Sequence, residues 1–331
     1  MSSAGVATRV AVLPNLDPAT YQRHSLHAAD RAWVEKNCYV DIWIEVLHAL
    51  GLEPTAVMPF VLAIDFEGDQ WTFFKPPHDE LRDLYGVDVQ ELNVWRPLAE
   101  HCKVHVGDRK LISTEADAFF LPDTSGTDYQ RTHTKTTIVI NDYDPEKQRL
   151  GYFHNAGYHE LHGEDFVKTF RVGYAPDPTF MPLFAEVVRI DKLVKRPKPE
   201  LVEMSRGLLK KHLARRPSDN PVKRFGARFA ADLPAIQAEG LGFYHAWAFA
   251  TVRQLGAAFE AASIHLRWLE DPALAPAAEA FEQVSSGAKT FILKAARAVN
   301  AKKPFETSAL FEDIATAWAR GTDTLAGQLK A

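Results

Sequence analysis

Cysteine is scarce in this chain: Cys38 and Cys102 are the only two among 331 residues. Two thiols build no disulfide framework, so reduced cysteines and a cytoplasmic setting are the expectation. No stretch reaches the roughly 18 uninterrupted apolar residues of a membrane-spanning helix. The opening Met1-Ser2-Ser3-Ala4-Gly5 has no basic segment followed by a long apolar one, so no signal peptide is expected. A basic surplus is also missing. The 38 Lys and Arg stand against 43 Asp and Glu, a net charge of -5 that argues against a general nucleic-acid binder. There is no HExxH helix, no Cys-rich spacing, no fixed-period repeat and no low-complexity tract. What is plentiful is core-forming material: 46% hydrophobic residues with 20 Phe and 7 Trp, enough for one large domain or two.

Val40, Trp43, Ile44, Leu47 and Leu50 recur at three- and four-residue steps, which predicts a helix beginning at Cys38 and stopped by Gly51 and Pro54. An apolar run follows from Val57 to Ile64, then a short strand from Gln70 to Lys75 ended by Pro76-Pro77. His78 to Tyr85 and Glu91 to His101 read as helices, and Lys110 to Phe119 as a strand. Residues 135–143 and 150–156 form a hairpin pattern around Asp144-Pro145-Glu146-Lys147. The basic, proline-bearing run Lys192 to Pro199 reads as a linker. Beyond it the pattern is helical: Leu201–Ala214, Phe243–Leu269, Ala277–Val299 and Ser308–Leu329, with one long apolar face from Phe243 to Leu266. The expected organisation is an α+β domain over residues 1–190 and a helical bundle over 191–331.

The positive end of a helix dipole favours thiolate, and a cysteine at that position is a candidate nucleophile. A thiolate attacking a carbonyl needs a base that also stores the proton, and histidine does both near neutrality. An Asp or Asn then orients the imidazole. Cys38 on the early helix, His133 before one strand and Asn155 at the end of the next supply these types in the order of papain-like thiol catalysts. The structural alternative is that Cys38 is a small buried hydrophobe.

Further residues bear on this reading. Glu115-Ala116-Asp117-Ala118-Phe119-Phe120-Leu121-Pro122, then His133, the turn Asn141-Asp142-Tyr143-Asp144 and a strand closing in Asn155 resemble the N-terminal domain of the butirosin-pathway acyltransferases. That group resembles papain-like cysteine peptidases in fold and has a helical second half. Its best-known member moves an acyl group from the phosphopantetheine thioester of a carrier protein onto an amine. The resemblance therefore implies a papain-like domain followed by an all-helical one, no bound cofactor, and an acyl carrier protein as donor and partner. The chain departs from the pattern at Asn155, where Asp is usual, and in its turn, which lacks glycine. Ala32 and Trp33 occupy the neighbourhood of the peptidases' oxyanion glutamine, so the oxyanion would rest on the Cys38 N–H with Asn37 or Gln70.

The segments Asn37 to Asp41, Asp65 to Lys75, His133 to Thr137 and Gly151 to Tyr158 also resemble a bacterial family defined as domain of unknown function 1839. That resemblance implies association with amino acid:carrier protein ligases, which would supply an aminoacyl thioester.

Several residues stay open between two roles. Asp65, Glu67 and Asp69 beside Trp71 would bind a substrate amine or form a plain turn. Asp117 is a substrate contact or a partner for Lys135 or His133. His154, His159 and His162, like His24 and His27, read as surface or supporting histidines in preference to metal ligands. Arg215-Arg216 and Lys223-Arg224 are a solvated face or a docking patch for an acidic carrier protein. Cys102 reads as core. Acyl or aminoacyl transfer through a Cys38 thioester, onto an amine or thiol, is the expected activity. A hydrolase on the same triad (amidase or thioesterase) and a non-catalytic carrier-protein or peptide binder are its alternatives.

Overall fold

A computed structural model of the protein describes residues 10–175, 177 and 179–329; the first five residues read above lie outside it. In chain order the elements begin with β1 (Val10–Ala11), α1 (Cys38–Ala49), β2 (Phe66–Glu67), β3 (Gln70–Trp71), α2 (His78–Tyr85) and β4 (Asp88–Glu91). Next come α3 (Leu98–Gly107), β5 (Leu111–Asp117), β6 (Lys135–Asp144), β7 (Arg149–His154), β8 (Gly157–His162), α4 (Glu164–Phe170) and β9 (Ala185–Arg189). The rest is helical: α5 (Lys198–Ala214), α6 (Pro221–Glu239), α7 (Leu241–Ala250), α8 (Val252–Trp268), α9 (Ala275–Ala301) and α10 (Ser308–Gln328). The architecture is mixed, an N-terminal sheet domain followed by a helical one. Among the described residues no helix is long and apolar enough to cross a membrane.

Compactness divides the chain differently from a single cut at residue 190. One unit joins the residues up to Ser25, Asn37–Glu53 and His78–Lys195; the other joins Leu26–Lys36, Pro54–Pro77 and everything from Arg196. Physical anchors explain the second grouping. Trp33 donates its indole N–H to Ser285 Oγ at 2.9 Å, and Glu260 accepts the backbone N–H groups of Ala32 and Trp33. Gly256 of α8 lets the Trp33 ring approach so closely that a Cβ there would lie 2.2 Å from it. The apolar run after Pro54 is a 3-10 helix packed against α5 and α8.

The first unit is built on an antiparallel sheet in the order β4-β9-β5-β6-β7-β8, with β1 paired to the end of β6. Every position of β6 from Thr136 to Asp144 is buried, so both of its faces are covered. Helix α1 packs on β6 and β7, and α3 on β5 and β6. All residues of α1 from Tyr39 to Leu47 are buried, as expected of a helix enclosed on all sides. Its buried acid Glu45 accepts the Tyr21 hydroxyl at 2.6 Å and the His24 N–H. Cys102 lies fully buried in α3, and burial pushes its thiol pKa up.

Four local expectations are corrected. Glu91 to His101 is not one helix. Residues 88–91 pair with β9, a ladder invisible to local periodicity, and α3 starts only after Pro97, which cannot donate within a helix. Strand β3 stops at Trp71, where its pairing with Phe66 ends. The long helix from Phe243 breaks at Thr251, so Phe243 and Phe249 are exposed while Tyr244, Val252, Leu255 and Phe259 are core. Helix α6, absent from the sequence reading, begins at an Asn220 cap with Pro221 in the first turn, where a missing N–H costs nothing.

Candidate functional site

Cys38 opens α1 and is half-buried. Asn37 caps the helix: its side-chain oxygen accepts the N–H groups of Tyr39 at 3.1 Å and Val40 at 2.9 Å. That oxygen satisfies amides the helix leaves orphaned. The Cys38 thiol makes no hydrogen bond among the described residues. One position on, the Tyr39 hydroxyl meets His78 Nε2 at 2.7 Å and the buried Glu186 at 3.0 Å, and Glu186 also accepts from Ser113. Burial and the Glu186 charge push the Tyr39 pKa up, so its hydroxyl stays protonated.

His133 lies just before β6, and no hydrogen bond joins it to Cys38 among the described residues. Its Nδ1 faces Asp117 Oδ2 at 2.6 Å. An ionised carboxylate only accepts, so a neutral His133 carries its proton on Nδ1 and keeps the Nε2 lone pair for chemistry. Asp117 ends β5, and its other oxygen accepts the Phe119 N–H at 3.0 Å. The Phe119 ring stacks on the imidazole with 4.2 Å between centroids and 12° between planes, and Phe120 meets it edge-on. The His133 side chain is 67% exposed, so Nε2 is open to a reactant.

The loop carrying this pair is held by a polar cluster around Asp123, whose members include His154 and His159, two of the histidines expected to be surface or supporting. Asp123 accepts the Tyr152 hydroxyl at 2.5 Å and faces His154 Nδ1 at 2.6 Å, while His154 Nε2 meets Thr136 Oγ1 at 2.8 Å. Burial pushes the Asp123 carboxyl up. The His154 hydrogen bond and charge, with His159 and Tyr152, outweigh that and hold it below the usual carboxylate range. The available signal was the alternation Leu150, Tyr152, His154 on one face of β7.

Asn155 lies in the turn after β7 with φ 46°, a left-handed conformation that Asn tolerates well, and its side chain makes no hydrogen bond among the described residues. Asp117, not Asn155, therefore holds the His133 ring. Lys135 pairs with Glu115 at 2.9 Å. Gln70 and Trp71 belong to the other compact unit: Gln70 donates to the Ala250 carbonyl, and Trp71 is buried against Phe66 and Phe225. Asp65 pairs with Arg224, and Glu67 and Asp69 flank the Gly68 turn of the β2–β3 hairpin. Arg224 is also tied to Asp219, and Lys223 to Glu312, so both cations of that cluster have acidic partners. Among the described residues no group of three or more His, Cys, Asp or Glu is arranged to hold a metal ion.

Cavities lined by described residues adjoin the sheet unit. One of about 430 Å³, lined by Trp95, Phe170, Tyr174 and Phe180, has no cysteine or histidine in its wall. Another, about 450 Å³, has Phe119 and Phe120 as one wall; Phe119 also stacks on His133, which is not itself in the lining.

No curated protein matches the chain. Two family models do: the DUF1839 N-terminal domain over residues 22–190 and the DUF1839 C-terminal domain over residues 198–327. Together they cover most of its length, and the chain belongs to the DUF1839 family.

Proposed function

We propose that the protein is a cysteine-dependent acyltransferase of papain-like design, with an acyl or aminoacyl carrier-protein thioester as donor. The observation that carries the reading is the His133–Asp117 pair, which leaves Nε2 as an exposed base. In the proposed reaction His133 Nε2 takes the Cys38 thiol proton, the sulfur attacks the donor carbonyl and the donor C–S bond breaks. The phosphopantetheine thiol leaves with a proton from His133. An acceptor amine then attacks the Cys38 thioester, His133 takes its proton, the acyl C–S bond breaks, and the proton passes from His133 to the Cys38 sulfur. Asp117 supports the tautomer required throughout, the role first assigned to Asn155. Resemblance to the butirosin-pathway acyltransferases and the order of helix, histidine and strands support this choice.

The test is incubation with an aminoacylated carrier protein, following both proteins by intact mass. An adduct that needs Cys38 and persists until an amine is added supports transfer. His133→Ala should abolish it and Asp117→Asn should slow it about 100-fold or more, the range of general-base contributions, whereas His78→Ala should leave it standing. Rapid release of free acid without an adduct would make the protein a hydrolase. Retention of the acyl group on the carrier would leave a binding role.

A further inference from the structure

The cavity behind Phe119 and Phe120 carries charges as well as aromatic faces. Tyr129 completes the aromatic lining, and Glu164, Asp165 and Lys168 stand at the start of α4. Asp165 is half-buried and accepts the Tyr129 hydroxyl at 2.9 Å, which fixes the carboxylate against the aromatic wall. Lys168 reaches Glu164 at 3.7 Å and so neutralises one acid only. The other acid of the lining is Asp165, and His162 at the rim lies 3.3 Å from Glu160. A cavity of about 450 Å³ is of ordinary size for a small organic ligand.

We propose that this cavity binds a primary ammonium carried on a short apolar or aromatic body. The ammonium would sit between Asp165 and the faces of Phe119, Phe120 and Tyr129, where charge attraction and the negative faces of the rings act together. An anion would meet Asp165 and Glu164. A neutral ligand would gain only the apolar contact. The inference deepens the acyl-transfer reading by naming an amine-bearing substrate for it, because Phe119 is both the cavity wall and the support of His133.

Direct binding tests it without turnover. Benzylammonium, benzyl alcohol and phenylacetate are titrated into the full chain at pH 7.5 by calorimetry, with the His133 ring signals followed by NMR. Benzylammonium should bind at least about tenfold more tightly than benzyl alcohol, phenylacetate should bind most weakly, and the His133 signals should shift on binding. Asp165→Asn keeps an acceptor for the Tyr129 hydroxyl and removes the charge, so it should erase the preference for benzylammonium over benzyl alcohol. Glu164→Gln, on a highly exposed side chain, is the second variant and should reduce the preference in a chain that folds normally. Equal affinity for the amine and the alcohol, or a preference unchanged in both variants, overturns the proposal. A clear preference for the ammonium with no acylation of Cys38 would instead sink the acyl-transfer reading and leave this site standing.

Discussion

Replacing Asp123 by Asn removes the single negative charge at the centre of the cluster beneath His133. The carboxylate is 8% exposed and takes two short bonds, from the Tyr152 hydroxyl and from His154 Nδ1. Hydrogen bonds to a charged group are worth about 1.5–3 kcal/mol each. The amide oxygen can still accept one of them, but the new NH2 then faces the other donor. One charged bond is lost, and a buried donor is left without an acceptor. The expected cost is about 3 kcal/mol, at the low end for breaking a buried ionic pair. For a unit of roughly 150–250 residues that is a fall in Tm of about 6–12 °C. The pH dependence follows from the depressed carboxyl of Asp123. A folded-state pKa below the unfolded value means the stabilisation is complete above the unfolded carboxylate pKa of about 4 and disappears as pH falls through the folded value. Thermal unfolding of wild type and Asp123→Asn should therefore differ fully at pH 7 and converge at acid pH. A shift under about 2 °C at pH 7, or a difference that persists undiminished at low pH, would refute an ionised, structurally important Asp123.

Two other outcomes are expected. Iodoacetamide should label Cys38 more than about tenfold faster than Cys102, whose thiol is buried and raised in pKa. His133→Ala should slow only the Cys38 reaction, and equal rates by peptide mass mapping would count against an activated thiol. Gly256→Ala should cost about 1–3 kcal/mol, because the new methyl collides with the Trp33 ring and displaces its bond to Ser285; chemical unfolding that leaves the midpoint unchanged would contradict the close packing of Trp33 on α8.

The parts of the fold that could be read in advance are those whose cause is local. Helix α1 follows from its three-and-four apolar spacing and the stop at Gly51, and the β6–β7 hairpin from alternation around the Asp144-Pro145 turn. The strands missed or misplaced, β4 and β9, exist because they pair with each other across about a hundred residues, and neither has a strong pattern of its own. The site divides the same way. His133 and Asp117 are close along the chain and joined through adjacent strands, so Asp117 was already one of the partners considered for it. Asn155 carried a second explanation that residue type alone cannot separate from catalysis, the left-handed turn it occupies. The apolar run after Pro54 announced burial without naming the surface it would be buried against.

The interleaved chain has a consequence for biogenesis. Helix α1, with Cys38 at its start, is bracketed by Leu26–Lys36 and Pro54–Pro77, which reach their own core only when the helices beyond Arg196 exist. During synthesis from the N-terminus, Trp33 and the Val57–Leu62 run therefore leave the ribosome long before Ser285, α5 and α8 are made. Until then they are an apolar surface awaiting a partner, the kind of intermediate that invites aggregation. The thiol-bearing helix is thus tethered at both ends to segments that settle last, and a fragment ending near residue 195 would keep the sheet unit's own residues but carry two orphaned apolar segments within them.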